Sequence, residues 1–107
     1  MSLDFSLEQE QMTTVFDTNI THNLNKMADK AGIYYALWRP EEKGFVKAKD
    51  IIEVLEAGLK DLKERKEYYE QFNAENGWGM YKHFVPFVEQ VLENCKQYPE
   101  STIRVSR

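Results

Sequence analysis

A mainly α fold is predicted for this chain: a single-domain bundle of three to four helices, with at most a small two-stranded β-ribbon made by its ends. Three observations predict it. Apolar residues recur at helical spacing in three separate stretches, between residues 20–31, 48–62 and 81–95. Residues with helix-start or helix-stop chemistry bound those stretches. Only two short runs, 13–16 and 102–106, have the composition of strands. At 107 residues the chain suits one domain, 1–107, with one core.

The elements follow in order. Residues 4–12 are polar and acidic, with Phe5 and Leu7 as isolated apolar points, and 1–12 as a whole reads as a loosely ordered N-terminal arm. Thr13-Thr14-Val15-Phe16 is β-prone and forms either a strand or the lead-in to the first helix. That helix is expected from about Asn19 to Ala31. Asp17, Thr18 and Asn19 each carry an N-cap oxygen, Gly32 supplies a left-handed stop, and Ile20, Leu24, Met27, Ala28 and Ala31 form one stripe. Ile33–Trp38 is apolar throughout and too short to classify, with a buried helical turn slightly favoured over a strand, and Pro40 stops it. Pro40-Glu41-Glu42 has the composition of a helix first turn, ended by Gly44.

A second main helix is expected from Lys47 to about Lys63, its stripe being Ala48, Ile51, Ile52, Leu55, Leu59 and Leu62. Gly58 lies beside that stripe, where a glycine gives up roughly 1 kcal/mol against alanine. A close contact there would account for it. Residues 64–72 continue as a separate or kinked helix. Asn76-Gly77 and Gly79 mark a loop. The last helix reaches from Met80 or His83 to Gln97, with Tyr81, Phe84, Val88, Val91, Leu92 and Cys95 facing the core. Pro86 falls on the opposite face, where the helix begins or bends. Thr102–Ser106 alternates like an edge strand and is expected to pair with 13–16.

Composition excludes several functions. A net charge of −4 lacks the clustered Lys and Arg that phosphate contacts need, so nucleic acid is not an expected partner. No apolar run approaches the roughly 20 residues of a membrane span, and no secretory signal is visible. Cys95 is the single cysteine, which fits a reducing compartment such as the cytoplasm and leaves no thiolate set for zinc. His22 and His83 are the only histidines and neither has a companion at i+3 or i+4, so no metal and no cofactor are expected.

The candidate functional residues gather between Asn19 and Glu42. On the expected first helix, His22 points away from the apolar stripe. It is a solvated residue unless another segment covers that face, in which case His22, Asn23 and Asn19 line a cleft with a proton carrier in it. Trp38 and Arg39 offer a stacking platform, though Trp38 also suits the core and Arg39 a pairing with Glu41 or Glu42. Trp78 sits on a glycine-flanked turn, either as a lid or as an exposed anchor. Cys95 lies on a core stripe, as an inert thiol would. No serine or cysteine nucleophile can be set beside His22.

Several motifs carry a resemblance: Asn19-Ile20-Thr21-His22-Asn23-Leu24, Ala31-Gly32-Ile33-Tyr34, Leu37-Trp38-Arg39-Pro40-Glu41-Glu42, Leu55-Glu56-Ala57-Gly58-Leu59, Asn76-Gly77-Trp78-Gly79 and Val105-Ser106-Arg107. Together they resemble a family of small bacterial and phage or prophage proteins, over nearly everything after residue 15. The resemblance implies an intracellular, mobile-element setting and carries no activity or catalytic residue with it.

The expected function is therefore that of a small cytoplasmic accessory or protein-interaction module. Its surface would hold Asn19, His22, Asn23, Trp38, Arg39 and Trp78, and its partner would be protein, a second copy included. The alternative is a small-ligand binder or enzyme using a His22, Asn23 and Arg39 cleft.

Overall fold

The computed structural model describes residues 2–9 and 13–107. It is an α+β fold, which corrects the mainly α expectation. A three-stranded antiparallel sheet stands where an arm, a helix start and a two-stranded ribbon were expected. Its strands are β1 (Ser2–Gln9), β2 (Thr13–Thr21) and β3 (Thr102–Ser106), in the order β2-β1-β3.

The expected loose arm is the central strand. Ser2-Leu3-Asp4-Phe5-Ser6-Leu7 alternates strictly, and Leu3, Phe5 and Leu7 are fully buried. A strand with one face on a core reads this way. Residues 1 and 10–12 of that arm lie outside the described residues. β3 is the expected edge strand, but it pairs with β1 rather than with 13–16.

β2 extends through Thr21, so the first helix does not begin at Asn19. Ile20 and Thr18 stand opposite Leu3 and Phe5, on the inner face with them, while Asn19 and Thr21 take the outer face. Pairing with β1 outweighs the capping signals of Asp17, Thr18 and Asn19. The cap is Thr21, whose Oγ1 accepts from the Asn23 N–H across 3.3 Å and opens a 3₁₀ turn, His22–Leu24. The register shifts between Leu7 and Glu8, so Val15 is a bulge and Phe16–Thr21 runs regularly against Ser2–Leu7.

The helices cover one face of the sheet. They are α1 (Asn25–Lys30), α2 (Tyr34–Trp38), α3 (Ile52–Glu64), α4 (Lys66–Glu70) and α5 (Tyr81–Gln97). Gly32 closes α1 at φ 78°, with the Ile33 N–H reaching back to the Ala28 carbonyl across 2.9 Å. Pro40–Lys43 is a 3₁₀ turn ended by Gly44, and Ala48–Asp50 another that leads into α3. The Asp50 carboxylate accepts from the Val46 and Lys47 N–H groups at 3.0 and 2.9 Å, and these bonds hold it below the usual carboxylate range.

α3 and α5 pack against each other beneath the sheet, burying Leu55 and Leu62 with Phe84, Val88, Val91 and Cys95. α5 runs unbroken through Pro86, whose ring lies on the exposed side. Gly58 accounts for itself here. A Cβ on it would overlap the Ile33 methyl Cγ2 and come within 3.0 Å of the Ala31 carbonyl. The close contact is with the turn between α1 and α2. Among the described residues no helix is long and apolar enough to cross a membrane.

Candidate functional site

An open cleft of about 1300 Å³ lies between the outer edge of β2 and α5. The first wall is Thr18-Asn19-Ile20-Thr21 and the 3₁₀ turn after it, with Ser2 beside them. The second wall is one face of α5, from His83 through Pro86 and Phe87 to Gln90. The third is the Asn76–Gly79 loop. None of the sixteen lining residues is Asp, Glu, Lys or Arg, in a chain where such residues make up 30%. The lining is made instead of amides, hydroxyls, two imidazoles and the apolar surfaces of Ile20, Leu24, Trp78, Pro86 and Phe87.

His22 is fixed from behind. The buried Trp38 indole N–H donates to its Nδ1 across 2.8 Å. An Nδ1 that accepts carries no hydrogen, so the neutral ring holds its proton on Nε2. Trp38 is in turn stacked on Tyr34, with ring centroids 5.7 Å apart and planes 10° from parallel. Its carbonyl accepts from Arg107 across 2.8 Å, and Arg107 also pairs with Glu41.

The third wall is equally tied down. Asn23 donates through Nδ2 to the Trp78 carbonyl at 2.7 Å, and the Trp78 N–H donates to Asn76 Oδ1 at 2.9 Å. The Ala74 N–H reaches the Gly79 carbonyl at 3.0 Å, and Asn73 Oδ1 accepts the Tyr81 N–H at the start of α5. Gly79 has φ 119°, and a Cβ there would come within 2.8 Å of Asn23 Cβ. Only glycine lets the loop lie this close to the 3₁₀ turn. The loop backbone is hydrogen-bonded at Ala74, Trp78 and Gly79, while Trp78 stands 71% exposed on the rim.

The structure brings Asn19, His22, Asn23 and Trp78 to one cleft, with Trp38 directly behind His22. It places Arg39 elsewhere. The Arg39 guanidinium donates to Tyr34 Oη at 3.0 Å and pairs with Glu42 at 2.9 Å, and it does not line the cleft. Those two partners raise its pKa above the ordinary guanidinium value, the Tyr34 bond most of all. The cleft with His22, Asn23 and Arg39 together is thus corrected to one without the arginine. Glu41 and Glu42 sit in the first turn after Pro40 and pair with Arg107 and Arg39 respectively.

Cys95 is buried, and burial pushes its thiol up to about 12, so it is no nucleophile. Among the described residues no three His, Cys, Asp or Glu side chains gather in metal-binding geometry. Sequence reading missed the α5 wall. His83, Pro86 and Gln90 recur at i, i+3 and i+7 on the face away from the Phe84–Val88–Val91 stripe, a pattern visible in the chain.

No protein-family model, no curated protein and no solved structure matches the chain.

Proposed function

We propose that the chain is a protein-interaction module that holds an uncharged segment of a partner protein in the β2–α5 cleft. The observation that carries this is the lining: no fixed charge, an exposed tryptophan on a pinned loop, and amide and hydroxyl groups around apolar patches. Rigid aromatic anchors on preorganised loops are where binding energy concentrates. Asn, Gln and Thr side chains match the donors and acceptors of a peptide rather than an ionised group. A cleft near 1300 Å³ also exceeds the usual span of about 300–1,000 Å³ for small-molecule sites, and it is open along one side.

A cytoplasmic accessory protein fits this proposal. The only thiol is buried, and the resemblance to small phage and prophage proteins implies the same intracellular setting.

The second proposal is a small-ligand site worked by two imidazoles. One observation favours it: His22 and His83 line the same cleft. It has no carboxylate to act with, and the Nδ1 of His22 already accepts from Trp38. A peptide titration followed by amide NMR tests the first proposal. Random-library peptides selected on the protein should be uncharged and should shift the amides of 18–24, 76–79 and 83–90. Shifts confined to another face overturn it.

A further inference from the structure

The outer edge of β2, which β1 does not use, lies on this cleft. Four consecutive residues, Thr18 to Thr21, line the cleft. Side chains of a strand alternate between its faces, so four in a row share only the edge. Among the described residues β1 is the only strand paired with β2. Edge strands are ordinarily blunted by lysine, proline or bulges. β2 has its bulge at Val15, at the far end, and from Thr18 to Thr21 it carries no charge and no proline.

We infer that the cleft binds its partner by strand addition: an extended, uncharged peptide pairs with the Thr18–Thr21 edge and sets alternate side chains against α5 and Trp78. This rests on the proposed interaction function and specifies its mode. Main-chain bonds to the edge would supply affinity, and the pockets for every second side chain would supply specificity.

The residues dictate the peptide's pattern. Thr18 and Ile20 are on the sheet's inner face, so the peptide side chains beside them enter the space bounded by Pro86, Phe87 and Trp78 and are apolar. The intervening ones lie beside Asn19 and Thr21 on the outer face and are polar without charge. An edge of four residues spans about 13 Å, enough for a peptide core of about four to six residues.

A second copy of the chain is a poorer occupant. Two-fold antiparallel pairing over the whole of Thr13–Thr21 centres on Asp17 and sets the two carboxylates directly opposite. Like charges in that position are unfavourable, and each copy also carries a net charge of −4.

The test uses the full chain and a phage-displayed random dodecapeptide library. The tightest selected peptide is made as a series in which each backbone N–H in turn is N-methylated, and binding is read by fluorescence polarisation. Methylation at every second residue should weaken binding by about tenfold or more, while the residues between tolerate it. Trp78→Ala, checked for unchanged circular dichroism, should weaken binding by about 30-fold.

Uniform or aperiodic N-methyl effects with Trp78 dependence intact overturn strand addition and leave the interaction proposal standing. Indifference to Trp78→Ala overturns both, as does a selection that yields no binder or only charged ones. A dimer in sedimentation that the peptide dissociates assigns the edge to a second copy and overturns the heterologous partner.

Discussion

The indole N–H of Trp38 donates to Nδ1 of His22 across 2.8 Å, from a side chain that is only 2% exposed. That bond joins the end of β2 to α2 and decides which nitrogen His22 turns toward the cleft. A histidine singled out for its chemistry and a tryptophan expected either in the core or on a platform thus form one unit. Trp38 does the core's work and orients the His22 ring in the cleft at the same time.

Replacing Trp38 with Phe keeps an aromatic ring near Tyr34 and removes the donor. The loss should be about 2–4 kcal/mol, combining a hydrogen bond of about 1 kcal/mol with an incompletely filled core site. Urea unfolding at neutral pH measures it. The more diagnostic readout is 15N NMR of the His22 ring. In the parent it should show Nδ1 as the unprotonated nitrogen, and in Trp38→Phe a mixture of tautomers.

Asn23 clamps the Trp78 loop, so Asn23→Ala should loosen the loop with little effect on the core. Amide hydrogen exchange should accelerate at Gly77, Trp78 and Gly79 by about two- to tenfold, while α5 beyond Phe87 stays protected. Global stability should fall by about 0.5–1.5 kcal/mol, the worth of one hydrogen bond. Equal acceleration throughout the chain would mean that Asn23 supports the fold rather than the loop.

The two long helices, α3 and α5, were legible in the sequence because their apolar stripes are long. α3 and α5 each repeat the pattern over several turns, and their periodicity left no competing period. β1 was misread because its signal is short. Leu3, Phe5 and Leu7 alternate over five residues among Ser, Asp and Glu, which also describes a solvated arm when the partners of the strand are unknown. β2 was misread at its second half because Asp17, Thr18 and Asn19 carry good caps, and a cap is a local signal that pairing with β1 overrides. The site was half legible for the same reason. Polar residues clustered near His22 could be seen, but the face of α5 that completes the cleft is distant in sequence and had to be brought there by the fold.

Stability should fall at alkaline pH in two steps. Burial raises the Cys95 thiol from 9.0 to about 12, and burial together with the short bond to Asp61 raises the Tyr69 phenol from 10.0 to about 12. Both groups are neutral in the folded state at pH values where the unfolded chain ionises. Their contribution is complete below those ordinary values and is lost as pH rises toward about 12. Denaturant midpoints should therefore decline from about pH 9 upward. Cys95→Ala, which removes the thiol, should delay the decline to about pH 10. An unchanged onset in that variant would assign the whole effect to tyrosine.

Gly58→Ala sets helix propensity against packing. In an exposed helix the change would stabilise by about 1 kcal/mol. Here the new methyl overlaps Cγ2 of Ile33, a side chain with no exposure, and lies 3.0 Å from the Ala31 carbonyl, which is backbone. Overpacking of that kind costs about 1–3 kcal/mol. The net result should be destabilisation by up to about 2 kcal/mol, the clash offsetting or outweighing the propensity gain. Ile33→Leu removes the β-branch that supplies Cγ2. Alone it should cost under about 1.5 kcal/mol, as shape-changing apolar swaps do. In the double variant the alanine has room on the Ile33 side, so a double-mutant cycle should return a favourable coupling of about 0.5–1.5 kcal/mol. Additive effects would mean that the Ala31 carbonyl, not Ile33, sets the limit at Gly58, and that the α1–α2 turn is the rigid partner in this contact.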